Sequence, residues 1–161
     1  MANIITTVKS DITNELAKRG EDTRKVAEAM LIAGAEALKK NWEEVITEES
    51  LIDSGDMKAA VGYNPAKALK GGELEIDVYP FGKDYKGTSN ATKAAMLHYG
   101  TSTFPMTRFI DEIEKRTEKD AEEAMRKVME EWISTGRVPE VTRTPFNKRG
   151  TKSKRKKRKE G

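Results

Sequence analysis

The sequence predicts an α+β fold: a small antiparallel sheet packed against two long helices, with a helical N-terminal arm and a disordered basic C-terminal tail. Three observations point there. Leu74, Ile76 and Val78 alternate with Glu73, Glu75 and Asp77, the period of a half-buried strand with one wet face. Two longer stretches, one on each side of that strand, repeat their apolar residues at helical spacing. After residue 136 the apolar pattern stops and Lys and Arg take over. The division that follows is an arm at 1–20, a core domain at 21–136 and an extended basic tail at 137–161.

Taken in chain order, Ile5, Val8, Ile12 and Leu16 lie at helical spacing and predict an amphipathic helix over 3–19, closed by Gly20. Asp22 is a suitable N-cap for a second helix, whose apolar positions Val26, Met30, Ala33, Ala37, Trp42 and Val45 run to about Glu48. The Ala-rich stretch 27–38, with Gly34 inside it, permits close approach of another element. Core packing and a subunit contact are both open for it. Asp53-Ser54-Gly55-Asp56 breaks the pattern, and residues 57–63 read as a helical turn leading into a strand. That strand, around 59–63, is the expected antiparallel partner of 74–78. Residues 80–90 are polar and read as a mobile loop, a common place for function. Residues 91–99 predict a short helix ending at Gly100. The longest helix then opens near Thr107 and runs to about Ser134, with Ile110, Ile113, Thr117, Ala121, Ala124, Val128 and Trp132 facing inward. Asp111 with Lys115, Glu112 with Arg116, Glu122 with Arg126 and Glu123 with Lys127 are favourable i,i+4 pairs. Gly136 and Pro139 stop it.

Composition narrows the chemistry. Among 161 residues there is no Cys and a single His. A thiol nucleophile, a disulfide framework and a multi-His metal centre are excluded. The sequence has no phosphate-binding glycine loop and no nucleophile elbow. The expectation is a non-enzymatic protein with no catalytic residue, cofactor or metal. No apolar run approaches a membrane span and no signal peptide is evident, so a soluble chain made in the cytoplasm is expected. His98 keeps two readings, a packed hydrogen-bonded residue or a proton-transfer group near neutral pH.

The net charge of +3 conceals two opposite parts. Residues 148–161 hold nine Lys or Arg and one Glu, a net of +8. The other 21 basic and 26 acidic residues leave the body at −5. The tail's cations are Lys148, Arg149, Lys152, Lys154, Arg155, Lys156, Lys157, Arg158 and Lys159. DNA phosphates, an acidic partner surface and simple solubilisation are three open readings for them. The lack of aromatic residues after Phe146 argues against base stacking.

Three segments resemble the tail-component family of tailed bacteriophages, small neck and tail-completion proteins at the head–tail junction. They are Ser54-Gly55-Asp56-Met57, then Ala94-Ala95-Met96-Leu97-His98-Tyr99-Gly100-Thr101, then Pro105-Met106-Thr107-Arg108-Phe109-Ile110, ahead of a long helix. The family's Arg-Pro before Phe is replaced here by Thr107-Arg108. The resemblance implies a structural protein of the virion neck or tail, assembled in the host cytoplasm. It implies a homo-oligomeric ring docked to neighbouring neck and tail proteins. It also makes Ser54, Gly55, Met57, His98, Tyr99, Gly100, Thr101, Pro105 and Phe109 residues of fold or interface. A lysine-rich tail of this kind is not a defining feature of that family, so no role for it carries over. Without the resemblance, the residues read as a small DNA-binding accessory protein acting through its tail.

Overall fold

The computed structural model describes residues 5–49, 51 and 55–149. Ser54 and the tail cations from Lys152 onward lie outside them. The elements are β1 (Thr6–Val8), α1 (Asp11–Lys18), α2 (Glu21–Glu48), α3 (Asp56–Ala59), β2 (Val61–Tyr63), β3 (Lys67–Ala68), β4 (Leu74–Pro80), α4 (Asn90–Tyr99) and α5 (Phe109–Thr135). The fold is α+β. β4 is the centre of an antiparallel sheet of order β1-β4-β2, and β3 also pairs with β4. The expected hairpin partner is correct: Val61 stands opposite Pro80 and Tyr63 opposite Val78.

β4 alternates as its sequence requires. Leu74, Ile76 and Val78 are buried beneath α2, while Glu75 and Asp77 share Lys67 at 3.1 and 2.8 Å on the other face. α2 and α5 lie along one another and enclose Trp42, Leu31, Val45, Ile46, Phe109 and Ile113. Gly34 sits in their contact. A Cβ there would stand 2.8 Å from Val8 and 3.0 Å from Met125, so this small residue serves core packing. Polar bonds also tie the pair: Asn41 Nδ2 donates to Thr117 Oγ1 (3.0 Å) and Asp120 (3.1 Å), and Arg116 bonds Glu48 (2.6 Å).

The N-terminal arm departs from the expected single helix. Residues 6–8 form a strand against β4, and the helix starts only at Asp11, behind a Ser10–Thr13 capping box. β-branched Thr6, Thr7 and Val8 prefer the pleated conformation. Thr6 then fixes it, because its hydroxyl donates to the Val78 carbonyl (2.5 Å) and accepts from Trp42 Nε1 (3.1 Å). Ile5 and Ile12, expected to face inward, are exposed. α2 begins one residue before Asp22, which lies in its first turn, and Gly20 is its N-cap. α5 starts at Phe109, with Arg108 and not Thr107 as N-cap, and ends as expected at Gly136, whose N–H bonds the Trp132 carbonyl (2.8 Å). Three of the four foreseen i,i+4 pairs form. Asp111 turns instead to Arg108 at 2.8 Å.

From 137 to 149 the chain runs without regular structure but stays on the body. Val141 packs against the core cluster and Thr144 meets Glu36 through its N–H (2.9 Å) and its hydroxyl (2.7 Å). Buried Lys39 donates to Thr144 Oγ1 (2.5 Å) and the Pro145 carbonyl (3.2 Å). Tyr63 donates to Glu36 at 2.5 Å; burial first, and this bond second, hold its phenol pKa well above the usual value. Phe146 stacks edge-on to Phe81 at 5.2 Å and covers Gly62, where any side chain would strike the ring. Asn147 N–H closes the contact on the Ala59 carbonyl (2.8 Å).

Candidate functional site

Two loops flank α4, and the segments singled out in the sequence concentrate around the second. The first loop, 81–89, is internally braced. Asp84 is buried, and its carboxylate accepts the Lys86 and Thr88 N–H groups at 2.9 Å and pairs with Lys93 at 3.6 Å. Buried Asn90 donates to the Phe81 carbonyl (2.8 Å), and Phe81 itself is buried. The expectation of a loose polar loop meets a turn held by its own carboxylate, a recurrent role of Asp in turns.

The second loop, 100–108, is a hook. Gly100 leaves α4 with φ 81°, and a Cβ there would lie 2.8 Å from the Met106 nitrogen. Thr101 closes the tip: its N–H bonds the Phe104 carbonyl (2.9 Å), and its hydroxyl accepts from the N–H of Thr103 (3.3 Å) and Phe104 (3.1 Å). Thr107 returns the strand to α4 through the Leu97 carbonyl, by N–H (3.1 Å) and hydroxyl (2.7 Å). Arg108 N–H bonds the His98 carbonyl (3.1 Å). Phe109 then drops into the core, edge-on to Trp42 at 5.7 Å and to His98 at 6.1 Å.

His98 is the pin of this hook. Its Nδ1 accepts the Ile110 N–H (3.2 Å), which satisfies one donor of the α5 N-terminus. Its Nε2 lies 3.9 Å from Asp111. Burial lowers its pKa, outweighing the opposite pull of Asp111. A ring whose Nδ1 must accept a backbone proton is a packed, neutral histidine.

Arg108 has φ 54°, the one positive-φ residue other than glycine among the described residues. Proline, locked near −65°, has no access to that conformation. A proline at position 108 would therefore be incompatible with this helix entry.

The remaining expected site residues divide cleanly. Met57 is buried beside α4, and Gly55 supplies the left-handed turn (φ 84°) into α3. Tyr99, Thr101 and Pro105 are exposed on the hook. Lys148 and Arg149 are exposed just past the docked Phe146. The sequence reading did not single out Met96, Phe104 or Met106 as site residues. Met96 (47% exposed) and Tyr99 (55%) at the end of α4, and Phe104 (43%) and Met106 (60%) on the hook, all stand exposed. Three large apolar residues within a Gly/Pro/Thr-rich stretch, with no period to bury them, were the available signal. No group of acids and His suited to a metal ion occurs among the described residues, and no helix there is long and apolar enough to cross a membrane.

Comparison of the chain with known protein families, curated proteins and solved structures finds no match.

Proposed function

We propose that this chain is a structural assembly protein, a ring-forming neck or tail-completion component of a tailed phage or a phage-tail-like particle. The observation that carries the reading is the hook. Two of the three family-like segments, 94–101 and 105–110, fold into one buttressed unit whose base is buried and whose outer side shows Met96, Tyr99, Phe104 and Met106. Exposed large apolar residues gathered on a rigid base are what a protein–protein contact needs. Its work is ordered docking to copies of itself and to neighbouring neck and tail proteins, without turnover. Light scattering and electron microscopy of the purified chain test it, alone and with the products of adjacent genes. Discrete rings, or incorporation into tail or neck particles, are expected. A chain that stays monomeric at all concentrations and joins no particle overturns the reading.

The +8 tail favours a second reading, a DNA-binding accessory protein. That reading requires DNA affinity that falls steeply with salt, by up to about 0.9 log units per log unit of salt for each phosphate contacted. It also requires that removal of residues 148–161 abolish binding.

A further inference from the structure

We propose that a groove between β1 and α5 receives the basic segment 152–159 of a neighbouring copy, as an added strand. The proposal rests on the ring-forming reading above and supplies its subunit contact.

The groove is about 380 Å³. One wall is residues 6–10, the other is α5, and Leu38, Ala121 and Met125 give it an apolar floor. β1 is the end strand of the order β1-β4-β2, so one of its backbone edges faces no other strand among the described residues. An open edge beside an apolar trough accepts an extended chain through main-chain hydrogen bonds. Both walls run the length of the groove. Residues 6–10 cover about 13 Å as extended chain, and 114–125 about 16 Å as helix.

Charge selects the occupant. Glu114, Glu118 and Glu122 line the α5 wall at i, i+4 and i+8, all exposed. Of the three, only Glu122 has a Lys or Arg within 4 Å among the described residues, Arg126 at 3.8 Å. Lys9 is the one cation on the opposite wall. Four helical residues rise about 6 Å, and two strand residues about 6.6 Å. An extended basic chain with a cation at every second position therefore matches the glutamates rung for rung. Lys152, Lys154, Lys156 and Arg158 are such a series, and Arg155, Lys157 and Lys159 give the same match in the other register. Their aliphatic stems suit the apolar floor while their charges reach the glutamates.

The place where the arm leaves the body points toward a neighbour. Phe146 and Asn147 fasten the chain at Gly62 and Ala59, at the β2 edge of the sheet. The groove opens at the β1 edge, the opposite end of the strand order. Donor and acceptor on opposite edges make a head-to-tail contact, the kind that closes into rings.

The absence of Cys permits a direct test on the full chain. One tagged copy carries Ala121→Cys and a differently tagged copy carries Lys156→Cys. The two are mixed and oxidised, with light scattering in parallel. A mixed-tag covalent dimer is expected. Its yield should fall about tenfold when Glu114→Gln, Glu118→Gln and Glu122→Gln are added, the scale of losing three partly screened ion pairs. Circular dichroism confirms that the variants fold. Oligomers that form while this pair crosslinks no better than a Ser134→Cys control would overturn the groove contact and leave the ring reading standing. So would an Ala121→Cys/Lys156→Cys chain that crosslinks only within itself. No self-association at all would sink both.

Discussion

The loops on either side of α4 solve the same problem in opposite ways. Both must reverse the chain, and both are rich in Gly, Thr and Ser. Loop 81–89 turns its strongest hydrogen-bonding group inward: Asp84 is buried among the N–H groups it accepts, Phe81 is buried too, and Tyr85 is the one large hydrophobic side chain of the loop left exposed. Loop 100–108 is stitched by main-chain bonds to α4 and turns its apolar groups outward. The first loop is consistent with a closure of the fold. The second has a surface left over, and Met96, Tyr99, Phe104 and Met106 supply it. A polar loop is thus not the better docking candidate merely because it is polar. What matters is which groups remain unspent after the loop has satisfied itself.

Substitutions around the two loops can break or sharpen that contrast. The largest effect is expected at Phe109, which roots the hook in the core. Phe109→Ala should cost about 3–5 kcal/mol, read as a shifted midpoint in denaturant unfolding. A midpoint close to wild type would mean the hook is not anchored through this ring. Next comes Asp84→Ala, which removes the acceptor of two N–H groups and one ion-pair contact of Lys93. A cost of about 2–3 kcal/mol is expected, and a neutral result would remove the claim that the first loop is braced from within.

His98→Ala should lose about 1–3 kcal/mol at neutral pH, because the Ile110 N–H is left without its acceptor. A pH signature accompanies it. Burial puts the folded pKa below the ordinary 6.5, so on acidification the unfolded chain takes up this proton first. The stability contribution is complete above about pH 6.5 and is lost as pH falls toward the folded value. Denaturation midpoints measured from neutral to mildly acidic pH should fall in the wild type and fall less in His98→Ala. Equal slopes would exclude the buried neutral ring. The smallest effect on the fold belongs to the hook's outer face. Tyr99→Ser with Met106→Ser should change monomer stability by less than about 0.5 kcal/mol yet weaken assembly in light scattering. Unchanged assembly would strip the hook of the docking role proposed for it.

Much of this was legible in the chain itself. Strict alternation in 74–78 fixes a strand because only period two separates Leu, Ile and Val from Glu and Asp. The helical periods in 26–45 and 110–132 fix two long helices for the matching reason. Gly136 and the run of acids and bases on α5 mark its end and its wet side. The family-like segments directed attention to 94–110, and the hook lies there.

Other features needed partners distant in sequence. Residues 5–8 fit a helical period as well as a β-branched run, and the choice fell to β4 and to Trp42, whose indole N–H requires the Thr6 hydroxyl. Phe146, in a segment with almost no apolar pattern, finds the space left by Gly62, and neither residue announces the other. Gly100 and the Met106 backbone come together so closely that a Cβ at Gly100 would lie 2.8 Å from the Met106 nitrogen, and no local signal announces that pairing. Local periodicity and charge thus determined the two long helices, the central strand and the two-part electrostatics. Long-range pairing decided where the ends attach and which apolar residues were left outside, because those outcomes depend on shape complementarity between segments that share no local signal.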